Sequence, residues 1–281
     1  MITEIDGFKC YDSELAIEND DFESLCYPAY QNYIPNNFWY EARNQIISQT
    51  IKKYTAYTPN SNFFEIGCGN GFVIKHIKTS FPKFTFYASD IYIEALKYAK
   101  QNNPNGIDFF QYNIFKNNLQ KQFDLIGCFD VLEHIDDDLS AMLNINNLLS
   151  ENGNAIITVP SNMKIWSNND VINKHKRRYS KSELKEKLNK NGFEILHINH
   201  FVFFLYPLLY IKAKLQKKEI QPNNNSTDIA SLLNLKINPV LNSIFKVIMK
   251  FELVLINLGV KFPFGSSLIC VVKKKGIHPK T

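Results

Sequence analysis

FFEIGCGNGF, Phe63 to Phe72, is the stretch from which the rest of the chain can be read. An apolar strand runs into Glu65, glycines follow at Gly67, Gly69 and Gly71, and apolar residues then return at helical spacing. Glycine lets the backbone turn tightly and lets a ligand approach it closely. A helix opening straight out of such a loop presents free N–H groups that favour an anionic group. The spacing differs from the GxGxxG of dinucleotide sites, because Gly71 comes two places after Gly69. The GK[ST] of a P-loop is absent as well. Taken alone, the loop also fits a glycine-rich turn with no ligand.

Outward from this loop, apolar runs at 62–66, 84–89, 107–112, 123–129 and 154–159 alternate with helical stretches at 71–79, 91–102 and 137–150. Continuous apolar runs are strands buried on both faces, which predicts a parallel sheet covered by helices on both sides. Downstream, Ser180 and Glu183 fit a capping box on a helix that Gly192 ends, followed by strands at 193–201 and 266–274. The block between those strands holds the apolar segment Phe201–Ile211, a basic stretch KAKLQKK, a polar QPNNNSTD and an amphipathic helix near 238–258. Upstream, residues 1–60 read as loop and helix, with FWYEARNQIISQTIKKY carrying apolar residues at helical spacing. Three parts are expected: an N-terminal helical cap, 1–60; a main domain, 61–201 and 264–276; and a helical insertion, 202–263.

Composition narrows the class. The chain has 281 residues, 45% of them hydrophobic and 14% aromatic, enough to bury a core without disulfides or metals. That excludes a disordered chain, and eleven glycines exclude a collagen-like one. Charge is uneven: residues 1–200 carry 20 Lys/Arg against 24 Asp/Glu, and residues 201–281 carry 12 against 3. The five cysteines are scattered with no CxxC pair, and Cys68, Cys128 and Cys270 sit in or beside apolar runs, as small buried hydrophobes do. The acidic MITEIDGFKCYDSE has no apolar signal region. Phe201–Ile211 is too short to span a bilayer. The expected setting is cytoplasmic.

Three further segments join the loop. Asp90 closes the second strand, where a carboxylate meets a ribose diol or caps the next helix. Asn113 follows the third strand, as an amide reading an adenine edge or as a turn residue. FDLIGCFDVLEHIDDD, 123–138, ends the fourth strand in an acidic segment.

These four segments, in this order and spacing, resemble the class I S-adenosylmethionine-dependent methyltransferases over residues 35–201 and 266–274. The resemblance implies an α/β, Rossmann-like, seven-stranded sheet with helices on both faces. It is parallel except for the last strand, and the insertion lies between strands six and seven. It also implies S-adenosyl-L-methionine as cofactor and methyl transfer as activity. By that resemblance Glu65, Gly67, Cys68 and Gly69 form the cofactor loop, with Gly67 and Gly69 along the methionine moiety. Asp90 holds the ribose hydroxyls with Ile91 beside the adenine. Asn113 and Ile114 sit at the adenine, Asn standing where the family more often has Asp. Phe129 and Asp130 approach the cofactor by backbone. Trp39 and Arg43 share a helical face, and Arg43 meets the cofactor carboxylate or forms a surface ion pair while Trp39 packs in the core.

For the acceptor, His134 is the first candidate base, because an unperturbed imidazole titrates near neutral pH. His175 is the second, with Arg177, Arg178 and Tyr179 beside it to hold an anionic substrate by charge-assisted bonds. Asp130, Glu133 and His134 resemble the Glu-x-x-Glu-His segment of ubiquinone-biosynthesis O-methyltransferases, in which acids there can bind a divalent ion. A structural role is preferred here, and no metal is assigned. The expected acceptor is a small molecule, a lipid-linked compound or a glycan, methylated at oxygen. The alternative is a cofactor-binding partner or sensor without catalysis. Nucleic acid is not expected, because FDVL stands where amino-methylating DNA enzymes carry [DNS]PP[YF], and the basic third is too apolar to track phosphates. Peripheral membrane contact through 201–218 at the inner face of a membrane, and a homodimer, complete the expectations.

Overall fold

The computed structural model describes residues 2–17, 21–55, 58–116, 118–215 and 235–275. Nine strands form one sheet: β1 (Thr3–Ile5), β2 (Phe8–Cys10), β3 (Asn62–Ile66), β4 (Thr85–Asp90), β5 (Asp108–Gln111), β6 (Phe123–Phe129), β7 (Leu149–Pro160), β8 (Phe193–Phe201) and β9 (Ser267–Lys274). Their order is β1-β2-β5-β4-β3-β6-β7-β9-β8. From β5 to β7 all neighbours pair parallel, and β9 runs antiparallel to both β7 and β8. The expected seven-stranded arrangement lies within this sheet, with the insertion between its sixth and seventh strands, β8 and β9.

The two extra strands correct the reading of residues 1–60 as loop and helix alone. Asp6 and Gly7 adopt φ of 52° and 80°, which suits a tight hairpin, and join β1 to β2. β2 then pairs parallel with β5, Lys9 opposite Phe110 and Cys10 opposite Gln111. Asp-Gly between TEI and FKC was the signal for this hairpin, and the short strands concealed it.

Ten α-helices are described: α1 (Ser13–Ile17), α2 (Asp21–Tyr33), α3 (Phe38–Tyr54), α4 (Phe72–Ser80), α5 (Ile93–Asn102), α6 (Asp138–Leu148), α7 (Asn168–Ile172), α8 (Lys181–Lys190), α9 (Tyr206–Leu215) and α10 (Pro239–Asn257). Successive side chains of a strand face opposite sides of the sheet. Phe63 therefore packs with Phe84 and Phe86 in one core layer, and Phe64 with Phe110 and Phe123 in the other. α3, α4 and α10 contribute to the first layer, α6 and α8 to the second.

The segments expected as cap and insertion are tied to one another. Phe38 of α3 meets Phe245 of α10 edge to face at 5.0 Å, Glu41 pairs with Lys246 at 2.7 Å, and Lys53 reaches the Asn257 carbonyl at the far end. Inside, the fully buried Glu252 accepts hydrogen bonds from the backbone N–H groups of Val202, Phe203 and Phe204 at 2.5, 2.9 and 3.2 Å. It thereby fixes the turn from β8 into α9. Glu252→Ala strands those donors in a dry site. An unfolding free energy lower by about 3 kcal/mol is expected in urea titration, with a smaller loss for Glu252→Gln, which keeps one acceptor.

His197 and His200 of β8 are buried, and His197 stacks on Tyr54 at 4.1 Å. Burial, then nearby lysines (Lys181 in both cases), pushes both imidazoles down to about 4. In the unfolded chain they take protons near their ordinary 6.5. Between those values the unfolded state binds more protons, so stability is lost as pH falls from about 6.5 to about 4. The melting temperature should drop through that window, and His197→Phe, which keeps the stack, should flatten the drop.

Candidate functional site

β3 lies at the centre of the sheet, with β4 on one side and β6 on the other. Ligands of open α/β sheets bind beyond the carboxyl ends of the strands at such a point. There the chain forms a cavity of about 1210 Å³, lined by residues of the glycine loop, Asp90, the segment after β6, the loop after β7, and both α9 and α10. That exceeds the 300–1,000 Å³ typical of a single small-ligand pocket.

The loop is held by short backbone bonds. The Gly67 and Cys68 N–H groups donate to the Ser89 carbonyl, both at 2.9 Å, and the Gly69 N–H donates to Asp90 Oδ2 at 2.8 Å. Gly67 has φ +71°, and a Cβ there would stand 2.5 Å from Val131 Cγ2. Gly69 has φ +50°, and a Cβ there would meet nothing within 4 Å, so its open side is the cavity itself. Glu65 is buried with Oε2 unpartnered, and burial raises its carboxyl to about 8, with Asp90 adding to the rise and Arg43 opposing it. An open cradle beside glycine and an orphaned acidic oxygen fit a ligand that carries positive charge and hydrogen-bond donors. S-adenosylmethionine brings both.

Asp90 also accepts from the Tyr92 N–H at 3.1 Å, and its carboxylate and Ile91 face the cavity. Asn113 lines the cavity and also takes the turn role that the sequence left open. Its amide donates to Asp12 at 2.8 Å and its oxygen accepts from the Phe115 N–H at 3.0 Å, so the side chain is occupied in a turn. Ile114 lines the cavity beside it, as does Phe129 at the end of β6. Asp130 has φ +56°, which turns its carboxylate onto Arg43. Arg43 is buried, not a surface residue: its guanidinium lies 4.8 Å from the Trp39 ring centroid, and its Nε has no partner.

The loop after β7 returns to the segment after β6. His134 and His175 meet edge to face with ring centroids 4.8 Å apart. Burial, then His175, pushes the His134 imidazole down to about 3, which overturns its expected titration near neutral pH. His134 is a neutral imidazole in this site. His175 has a different partner: Asp170, fully buried, lies 2.8 Å from its Nδ1. The Nδ1–H donates to that carboxylate, which leaves Nε2 as the acceptor. Although burial pushes Asp170 up, hydrogen bonds from His175 and Arg178 hold it below the usual carboxylate range.

The expected anion clamp is otherwise engaged. Arg178 bonds Asp170 at 2.7 Å and the carbonyls of Ser161 and Ser266. Arg177 pairs with Asp138 at 2.9 Å, outside the cavity. Tyr179 is fully buried, its hydroxyl donating to Asp138 at 2.7 Å. Arg177 and Tyr179 brace the loop from behind and do not face an acceptor. The cations that line the cavity are instead Lys174, Lys176, Lys212 and Lys236, together with Arg43 and Arg178.

Two features were not fully legible in the sequence. One is Asp170, five residues before His175, whose second role is to close the capping box of α7 with Ser167. The other is the grouping of Glu133, His134 and His175, whose ligating atoms all lie within 4.8 Å of one another. Glu133 is buried, its Oε2 unpartnered, and burial and then Asp130 push its carboxyl well up. One acidic oxygen and two imidazoles match the donors a zinc-like divalent ion takes. They could hold such an ion.

Fold and site together define a nucleotide-cofactor methyl-transfer protein. Residues 38–198, more than half of the chain, match the methyltransferase domain family, and the chain belongs to that family. It is similar to the ubiquinone biosynthesis O-methyltransferase of Rickettsia canadensis, 28% identical over 171 residues, covering 54% of this chain and 72% of that one. Among solved structures it resembles an S-adenosylmethionine-dependent methyltransferase from Mesorhizobium loti, with TM-score 0.53, 12% identity, and 80% and 96% of the two chains covered. It also resembles phosphoethanolamine N-methyltransferase 2 of Haemonchus contortus in complex with S-adenosyl-L-methionine, with TM-score 0.58, 14% identity, and 92% and 59% covered. At these identities the solved structures show the fold alone. The cofactor is S-adenosyl-L-methionine.

Proposed function

We propose that this methyltransferase acts on a hydroxyl of a small or lipid-linked acceptor, with His175 as proton acceptor. The observation that carries the reading is the continuity of the cavity. It runs from Gly67 and Asp90, past His134 and His175, to apolar and lysine side chains of α9 and the start of α10. S-adenosylmethionine, when bound, supplies an electrophilic methyl on a cationic sulfur. Gly67, Gly69 and Asp90 hold the cofactor, and Arg43 and Glu65 face its charged end. His175 Nε2, oriented through Nδ1 by Asp170, would take the hydroxyl proton as the acceptor oxygen bonds the methyl carbon, the carbon–sulfur bonding pair staying with sulfur to leave a neutral thioether. Neutral His134 packs against His175 and keeps that ring in place. Apolar side chains exclude water, which positioning for an in-line displacement requires.

The test is transfer of labelled methyl from the cofactor to a cell extract separated into lipid, glycan, small-molecule, nucleic-acid and protein fractions. Label in hydroxyl-bearing lipids or small molecules is expected. Label confined to protein or nucleic acid contradicts the reading, and cofactor binding with no transfer to any fraction supports a non-catalytic partner or sensor. A second reading, favoured by the closeness of Glu133, His134 and His175, gives those three a divalent ion. EDTA separates the two: turnover unchanged by EDTA is expected for the proton acceptor, and turnover lost with EDTA and restored by a divalent ion assigns the trio to a metal.

A further inference from the structure

α10 is apolar on both sides. Its inner side packs through Phe245, Met249 and Leu253 against the core. Its outer side carries Val240, Ile244, Val247, Phe251 and Val254, continued by Leu258, between 48% and 77% exposed. At 100° per residue these six fall in one narrow stripe along the whole helix. A helix apolar all round is one that something covers. α9 adds Leu208, Ile211 and Leu215, each more than half exposed.

The exposed charges that this segment itself carries have one sign, and Glu41 of the neighbouring α3 is paired with Lys246. Among the described residues from 202 to 275, the one acidic side chain is Glu252, and it is fully buried. The cations there include Lys214 and Lys250, both exposed, and Lys261, three places beyond Leu258. Lys261 also lines a second cavity, of about 380 Å³, with Lys181, Lys185 and His197. No ion pair among the described residues joins Lys181, Lys185 or Lys261 to a carboxylate. Leu208 and Leu241 are exposed and also line the large cavity, so its mouth opens onto this same face.

We infer that the α9–α10 face lies in the headgroup layer of an anionic membrane. An apolar stripe flanked by lysines, with no exposed carboxylate among the described residues from 202 to 275, is the pattern of a helix lying in such an interface. Each lysine near the surface strengthens attachment and is screened by salt. No described helix is long and apolar enough to cross a membrane, so the contact is peripheral. The inference stands on this face and does not depend on the proposed acceptor; if both hold, an acceptor anchored in lipid reaches the cavity from the bilayer.

The experiment is co-sedimentation of the full chain with vesicles of phosphatidylcholine, alone or with phosphatidylglycerol, at low and high salt. Binding to the phosphatidylglycerol vesicles is expected at low salt, weakening as the screening length falls from about 10 Å at 0.1 M to about 3 Å at 1 M. Val247→Asp with Phe251→Asp should lower the partition about 100-fold. Lys250→Glu with Lys261→Glu should abolish the preference for phosphatidylglycerol. Both pairs lie outside the large cavity, so unchanged affinity for S-adenosylhomocysteine shows that the variants are folded. Failure of the folded wild type to bind these vesicles at low salt overturns the inference. So does a dimer that Val247→Asp with Phe251→Asp dissociates, because the face then belongs to a second copy.

Discussion

Asp90→Ala is expected to weaken S-adenosylhomocysteine binding about 100-fold, because two hydrogen bonds from a ribose diol to a carboxylate are lost together. The carboxylate also accepts the Gly69 and Tyr92 N–H groups, so part of the loss comes from a loosened loop. Gly67→Ala separates the two causes. Its Cβ would stand 2.5 Å from Val131 Cγ2 at a φ of +71°, so the loop must shift while Asp90 stays in place. Isothermal titration should show binding weakened in both, with the fold retained by circular dichroism. Asp90→Asn, which keeps one acceptor oxygen, should fall between Asp90→Ala and the wild type. If Asp90→Ala binds normally, the ribose is held elsewhere.

His175→Ala should lower turnover by about 10²–10⁴-fold while S-adenosylhomocysteine affinity stays unchanged, the signature of a lost general base. Asp170→Asn acts through His175. The buried carboxylate that orients Nδ1–H becomes an amide, which can present its own N–H to that nitrogen and turn the ring or its tautomer. Its loss should appear in turnover and in the pH profile, with cofactor affinity unaffected. Because Arg178 also bonds Asp170, stability should be measured beside activity. His134→Ala should cost less than His175→Ala, since a ring held neutral down to about 3 is a poor proton acceptor at neutral pH. Equal losses at the two positions would reverse that ranking and place the histidines in one shared role, as ligands of an ion.

What the sequence determined by itself was everything written in local pattern. Continuous apolar runs announced strands covered on both faces, and the segments at 62–66, 123–129 and 193–201 match β3, β6 and β8 residue for residue. Gly67, Gly69 and Gly71 announced a loop with positive φ, and all three have it. Asp90, at the carboxyl end of the neighbouring strand, was legible because strand lengths and a helical crossover set its place. Tertiary structure decided which polar side chains were left over. Arg177, Arg178 and Tyr179 read as a substrate clamp, yet buried Asp138 and Asp170 claim them, because a buried carboxylate needs partners and takes the nearest donors. Asn113 was claimed by Asp12, which the hairpin of β1 and β2 carries to the edge of the sheet. His175 is brought to His134 across 41 positions, and Asp170 becomes its partner only once α7 is packed. α10 read as amphipathic, and only its docking on α3 shows that a second apolar stripe faces outward. Helix and strand periods are properties of neighbours in the chain. The partner of a buried charge, and the face a helix leaves open, depend on segments far apart in sequence, and packing alone brings those together.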